Sequence, residues 1–305
     1  MTDRMQVALV QPNDLKQAQA VAEQAAAVLK EGGLVVFPTE TVYGVGASAA
    51  SDRGVQALRD LKSQGEPRAF AIHLPDPMAA ERYVDWSNPP LRRLVRKVFP
   101  GPVTLVVDVP EEVIAQKLRL LGLPPHCRDR LYRGGTVTLR CPDHGLTQQI
   151  LGAIDAPVIA GAASLPGRRA PRDAAEALEN LEGRVDLVID GGRSRYAKPS
   201  TVVRVSGQGA HSTIRVEREG VYDERFMRKL MRWTMLLICS GNTCRSPMAQ
   251  AIARRMLAEQ RGIAEEDLPA AGIRVLSAGV GAIPGMPANP HAVEAMAKQG
   301  IDLTS

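Results

Sequence analysis

Met-Leu-Leu-Ile-Cys-Ser-Gly-Asn-Thr-Cys-Arg-Ser-Pro, residues 235–247, reads as a short strand, a tight loop and the first turn of a helix. Four apolar residues deliver Cys239 into the loop. Gly241 permits the sharp turn, and Pro247 suits the first turn of a helix. The N–H groups of such a loop converge where the helix dipole favours an anion, so Ser240, Gly241, Asn242, Thr243 and Cys244 are the candidate phosphate loop. The same field lowers a thiol pKa and makes Cys239 a candidate nucleophile toward phosphorus. The planar fork of Arg245 can grip two phosphate oxygens, Ser246 can donate to the leaving thiolate, and Asn242 can brace the loop. A plain glycine turn beside two buried cysteines is the bland alternative. It leaves the order of strand, loop and helix without a reason.

Working outward, a helix over Ser246 to Arg261, a strand over Ile273 to Ser277 and a helix over Pro290 to Gln299 predict the start of a doubly wound α/β unit in residues 234–305. Residues 221–233 are charged and contain neither Gly nor Pro, which predicts a helical linker. Further upstream, helical periodicity in residues 14 to 30 gives way to Gly32-Gly33 and the run Leu34 to Phe37. Strand-like runs recur at Ala69 to Leu74, Val103 to Val109, Thr136 to Arg140, Val158 to Ala160, Leu187 to Ile189, Thr201 to Val205 and Thr213 to Val216. Helical segments lie between many of them. The pattern predicts an α/β domain over residues 8–220, built on a twisted mixed sheet.

Residues 38 to 46, Pro-Thr-Glu-Thr-Val-Tyr-Gly-Val-Gly, offer two hydroxyls, a carboxylate and two glycines after a buried strand. They read as a loop wrapped around a small polar ligand.

Bulk composition agrees with two packed domains. The chain has 305 residues, 45% hydrophobic and only 4% aromatic, so Val, Leu, Ile and Ala must fill the cores. A formal charge of +5 suits anionic ligands such as nucleotides or RNA without singling either out. The cations Arg92, Arg93, Arg96 and Lys97 read more readily as a solvated helix face than as a nucleic-acid patch. The amino-terminal residues lack the apolar core of a signal peptide, no apolar run is long enough for a membrane span, and a cytoplasmic location is expected. Cys127, Cys141, Cys239 and Cys244 have no metal-type Cys-x-x-Cys spacing, so no tightly bound metal is expected.

The cysteine loop, Ser277-Ala278-Gly279 and Gly285-x-Pro287-Ala288 resemble the low-molecular-weight protein tyrosine phosphatase family over residues 234–305. The resemblance implies Cys239 as nucleophile, Arg245 as phosphate clamp, Ser246 as thiolate stabiliser and Cys244 as a redox-sensitive neighbour. Thr243 resembles the residue found in members acting on phosphoarginine. In that family a downstream Asp-Pro pair supplies the general acid. The one Asp-Pro here is Asp76-Pro77, in the other half, so the phosphatase-like unit is expected to be truncated and its turnover impaired.

In the larger half, Pro38 to Gly46, Pro100-Gly101-Pro102-Val103-Thr104, Val137 to Pro142 and Pro199 to Val203 together resemble the threonylcarbamoyl-AMP synthase (YrdC-like) family. That resemblance implies a nucleotidyltransferase joining L-threonine, bicarbonate and ATP into threonylcarbamoyl-AMP and pyrophosphate, with Mg2+ accompanying ATP, in service of the tRNA-modification machinery. It implies threonine contacts at Thr39, His73, Arg140 and Ser200. On the nucleotide side it implies Lys62, Arg68, Ser164 and Arg218. Taken alone, His73 reads as a structural strand histidine and Arg140 as a surface ion pair. Gln64 stands where the family has the arginine of Lys-x-Arg, and Ala162-Ala163-Ser164 stands where it has Ser-x-Asn. The alternative reading is therefore a degenerate nucleotide- or RNA-binding module whose chain carries chemistry only in the phosphatase-like half.

Overall fold

The computed structural model describes residues 6–9, 15–62, 70–181, 183–207 and 212–303. The chain divides into two compact units, Met1–Glu224 and Arg225–Ser305.

The first unit runs β1 (Gln6–Leu9), α1 (Leu15–Lys30), β2 (Val35–Phe37), β3 (Gly44–Ser48), α2 (Asp52–Lys62), β4 (Ala71–His73), α3 (Pro89–Val98), β5 (Val103–Asp108) and α4 (Glu111–Leu120). It continues with α5 (Arg128–Leu131), β6 (Tyr132–Arg133), β7 (Thr136–Arg140), α6 (Gly145–Gly152), β8 (Val158–Ala162), α7 (Ala174–Leu181), β9 (Leu187–Asp190), β10 (Thr201–Ser206) and β11 (Thr213–Arg218). Its strands form one mixed sheet in the order β1-β9-β2-β3-β8-β4-β7-β5-β10-β11, with β6 paired to β7. On one face Val21, Ala22, Ala25, Ala26 and Leu29 of α1 pack with Leu146, Ile150 and Leu151 of α6 over Val35, Phe37, Val158, Ala160, Leu187 and Ile189. The alanines keep α1 thin, so two helices and the sheet share one core.

Two expectations are corrected, and one strand is added. Residues 38 to 46 are a loop only as far as Tyr43, because Gly44–Ser48 forms β3, fully buried and antiparallel to both β2 and β8. The glycines there answer a packing demand rather than loop freedom. A Cβ on Gly44 would lie 2.9 Å from the Phe37 ring, and one on Gly46 would lie 3.0 Å from it. Gln6–Leu9, unassigned by periodicity, pairs in parallel with β9. The connector is helical only over α8 (Glu224–Met231), and the following strand starts at Trp233, two residues ahead of Met235.

The second unit runs β12 (Trp233–Cys239), α9 (Arg245–Arg261), β13 (Ile273–Gly279) and α10 (Pro290–Ala297). β12 and β13 pair in parallel, with Cys239 opposite Gly279. Their core is Ala258, Leu268, Ile273 and Val275, packed by Trp233, Met235, Leu237 and Leu257. The alternation that buries one side of the sheet leaves Leu236, Ile238 and Leu276 exposed on the other. Among the described residues, no helix is long and apolar enough to cross a membrane.

Candidate functional site

In the first unit, three polar residues lie side by side across adjacent strands. His73 of β4 pairs with Arg140 of β7, and Arg140 pairs with Thr104 of β5. Directly paired residues project to the same face, so the sheet brings the three side chains together. Arg140 is not a surface ion pair: it is buried and donates from Nη2 to Glu40 Oε1 at 2.9 Å and to Thr41 Oγ1 at 2.8 Å. Glu40 and Arg140 are the two buried charged side chains among the described residues. Glu40 Oε2 and Arg140 Nε have no hydrogen-bond partner.

The loop after β2 folds around its own hydroxyls. Thr39 Oγ1 accepts from the Thr41 and Val42 amides at 3.2 and 3.3 Å and donates to the Val42 carbonyl at 2.6 Å. The Tyr196 amide donates to the Glu40 carbonyl at 2.8 Å, and the Tyr43 hydroxyl donates to the Gly192 carbonyl at 2.6 Å. Burial beside Asp190 pushes the Tyr43 phenol pKa up, so it stays a neutral strut. On the far side of Arg140, Thr104 Oγ1 and Ser200 Oγ lie 2.8 Å apart, and Arg218 Nη2 donates to the Ser200 carbonyl at 3.0 Å.

His73 stays neutral. Burial first, and the Arg140 charge second, hold its pKa down to about 3, while Nδ1 lies 3.1 Å from the Ala71 carbonyl. Its ring meets Phe37 edge to face, with centroids 5.7 Å apart. Cys141, next to Arg140, is an inert thiol that burial pushes up to about 12.

Lys62, expected on the nucleotide side, closes α2, and its Nζ donates to the Ala162 and Ser164 carbonyls at the end of β8. The buried Ser164 follows Ala163, whose amide donates to the Tyr43 carbonyl at 2.8 Å. Gln64 and Arg68 lie outside the described residues.

The structure thus gathers Thr39, His73, Arg140 and Ser200 around one strand end, with Arg218 bonded to Ser200 and Lys62 to Ser164. Sequence reasoning gave Glu40 and Thr41 only a shared place in a ligand loop and left Thr104 without a role. All three stood inside quoted motifs, but nothing short of the folded contacts shows that they meet Arg140 or its neighbours.

In the second unit, Cys239 Sγ lies 2.9 Å from Ser246 Oγ and accepts from the Asn242 amide at 3.2 Å. The Ser246 hydroxyl hydrogen bond, then backbone amides of Ser246, Asn242 and Gly241, hold the thiol pKa down to about 7. Ser246 has one proton to give. It is placed to donate to Asn242 Oδ1, 2.8 Å away, or to the thiolate. Gly279 lets the loop close, since a Cβ there would lie 2.6 Å from the Asn242 nitrogen. Asn242 itself sits at φ +52°, a conformation asparagine tolerates better than most residues. Amides of Val280, Gly281 and Asn289 donate to the carbonyls of Cys239, Ser240 and Thr243, fixing the loop from outside. A cavity of about 840 Å³ is lined by Cys239, Ser240, Gly241, Arg245 and Ser246 with the apolar Leu237, Ile238 and Val280. Thr243 Oγ1 donates to Cys244 Sγ at 3.9 Å.

Residues 27–220 match the Sua5_yciO_yrdC family model, described as telomere recombination. Residues 234–305 match the LMWPc model, described as low molecular weight phosphotyrosine protein phosphatase. The threonylcarbamoyl-AMP synthase of Pyrococcus abyssi is 30% identical over 181 residues, 59% of this chain and 49% of that protein. A Mycobacterium tuberculosis protein named putative threonylcarbamoyl-AMP synthase is 31% identical over 207 residues, 68% of this chain and 87% of that one. The chain spans about half the length of the first curated relatives it matches. Among solved structures, P. abyssi Sua5 complexed with L-threonine shares the fold with a TM-score of 0.60 at 18% identity, covering 90% of this chain and 92% of that one. E. coli YciO aligns with a TM-score of 0.58 at 25% identity, covering 72% and 97%.

Proposed function

Because the chain belongs to the Sua5/YciO/YrdC family through residues 27–220, we propose that its larger unit, residues 8–220, is a threonylcarbamoyl-AMP synthase. The amine of L-threonine attacks the carbon of bicarbonate, water leaves, and the resulting carbamate oxygen attacks the α-phosphorus of ATP, releasing pyrophosphate. The observation that carries this reading is the buried Arg140, set between neutral His73 and the Thr104–Ser200 pair, a donor-rich cradle for an amino-acid carboxylate. Thr39 and Ser200 supply hydroxyls for the substrate side. Neutral His73 can take one hydrogen bond without adding charge. Lys62, with Ser164 and Arg218, faces the triphosphate; Arg68, outside the described residues, is assigned to the nucleotide by the family resemblance alone. Mg2+ enters with ATP, masking its phosphate charge.

The product is an activated acyl-phosphate anhydride for tRNA modification in the cytoplasm, and RNA is the partner suited to the chain's net positive charge. Residues 221–233 join this unit to residues 234–305. There Cys239 attacks phosphorus, Arg245 clamps the phosphoryl oxygens and Ser246 stabilises the departing thiolate, the chemistry of a protein tyrosine or arginine phosphatase.

Pyrophosphate release with L-threonine, bicarbonate, ATP and Mg2+ tests the synthase. The expected result is release that depends on all three substrates and is lost on Arg140→Ala. One observation favours a second reading, a nucleotide- or RNA-binding module without synthase turnover: Ala162 offers no hydroxyl where the family carries a serine. Tight ATP binding with no pyrophosphate release would select that reading.

A further inference from the structure

Glu40 and Arg140 form an ion pair buried to 2% and 7% side-chain exposure, and one polar atom on each, Glu40 Oε2 and Arg140 Nε, is left without a partner. Structural ion pairs in an interior are held by saturating their hydrogen bonds, because each unmet group costs its full desolvation. Here an acceptor and a donor are both unmet, at the strand end where the polar residues converge. The ion pair itself is also neutral, with Arg218 on the Ser200 carbonyl at its edge. Arg140 contributes one positive charge and Glu40 one negative, while His73, held down to about pKa 3, adds none. A dipolar ion adds no net charge to such a site. A carboxylate without an ammonium would bring a net negative charge up to a pair whose own cation is already matched by Glu40, where charges interact strongly.

We propose that Glu40 is a positioning residue that aims the Arg140 guanidinium and, by cancelling its charge, makes the site select α-amino acids over carboxylates that lack an ammonium group. The proposal rests on the reading of Arg140 as the amino-acid carboxylate site. Glu40 acts through Arg140: Oε1 and the Thr41 hydroxyl both take Nη2, Nε is left without a partner, and His73 and Thr104 are the paired residues on the neighbouring strands. An arginine without this partner would present a full positive charge and would favour any small anion.

The test is calorimetric titration of the full chain with L-threonine and with 3-hydroxybutyrate, which keeps the carboxylate, the hydroxyl and the carbon skeleton and lacks only the ammonium. Wild-type chain is expected to favour threonine by about a hundredfold or more. In E40Q, threonine affinity is expected to fall about tenfold or more while 3-hydroxybutyrate binds more tightly than to wild type, a movement in opposite directions that partial unfolding cannot produce. E40D, which keeps the charge, is expected to retain the wild-type order of preference. Equal weakening of both ligands in E40Q, or wild-type discrimination below about tenfold, overturns the proposal and leaves the synthase reading standing. Wild-type chain that binds no threonine removes the amino-acid site itself, and with it both.

Discussion

Replacing Arg140 by methionine removes the cation and leaves Glu40 buried at 2% side-chain exposure. Glu40 Oε1 then loses its charge-assisted donor, Oε2 already has none, and Thr41 Oγ1 loses a donor as well. Truncating one partner of a buried pair costs about 3–5 kcal/mol, against at most about 1 kcal/mol for an exposed pair. For a unit of this size each kcal/mol moves the melting point by roughly 2–4 °C, so R140M is expected to melt about 10 °C lower. The chain has two tryptophans, Trp86 in the first unit and Trp233 in the second, so Trp86 fluorescence in a W233F background follows urea unfolding of the first unit alone. The double variant E40M/R140M is expected to recover most of the loss, because two apolar side chains of similar volume leave no charge unpaired. A cost below about 1 kcal/mol for R140M, or a double variant as unstable as the sum of the singles, would refute the claim that the pair is desolvated and coupled.

The remaining expectations concern both units. Alkylation of Cys239, followed by mass spectrometry, should titrate with a midpoint near pH 7, and S246A should move that midpoint toward the ordinary thiol value of about 8.5, since the Ser246 hydrogen bond is the largest cause of the shift. Cys127 and Cys141, buried with raised pKa values, should stay unlabelled in the folded chain. His73 is neutral in the fold down to about pH 3, whereas the unfolded chain takes up that proton near 6.5. Its contribution to stability is therefore complete above about pH 6.5 and is lost as pH falls toward 3, so H73Q should flatten the acid limb of urea midpoints measured between pH 7 and 4.5. Lys62→Ala strips the ammonium held by the Ala162 and Ser164 carbonyls and should weaken ATP binding about tenfold or more by calorimetry while leaving threonine binding within about threefold. Gly279→Ala drives a Cβ to 2.6 Å from the Asn242 nitrogen, so it should cost about 1–3 kcal/mol in the second unit and push the Cys239 alkylation midpoint upward. An unchanged midpoint in G279A would separate the loop's geometry from its effect on the thiol.

What the sequence by itself determined was local. A short apolar run, a turn residue and a helical stretch follow one another in order, so β12, the cysteine loop and α9 were legible, and Cys239, Asn242 and Ser246 meet within eight residues of chain. Helix α1, β2 and the later strands of the mixed sheet were legible for the same reason. Tertiary structure decided whatever depends on which strand lies beside which. The glycines of residues 44 to 48 look like loop glycines until the Phe37 ring is laid across β2 and β3, and only then does Gly44 become a strand residue that must lack a Cβ. Arg140 reads as an exposed strand end until β7 is seen between β4 and β5, with Glu40 reaching it from a hundred residues away. Burial and charge pairing are properties of neighbours across the sheet. Periodicity along the chain says which face a residue takes, and it carries no record of what stands opposite.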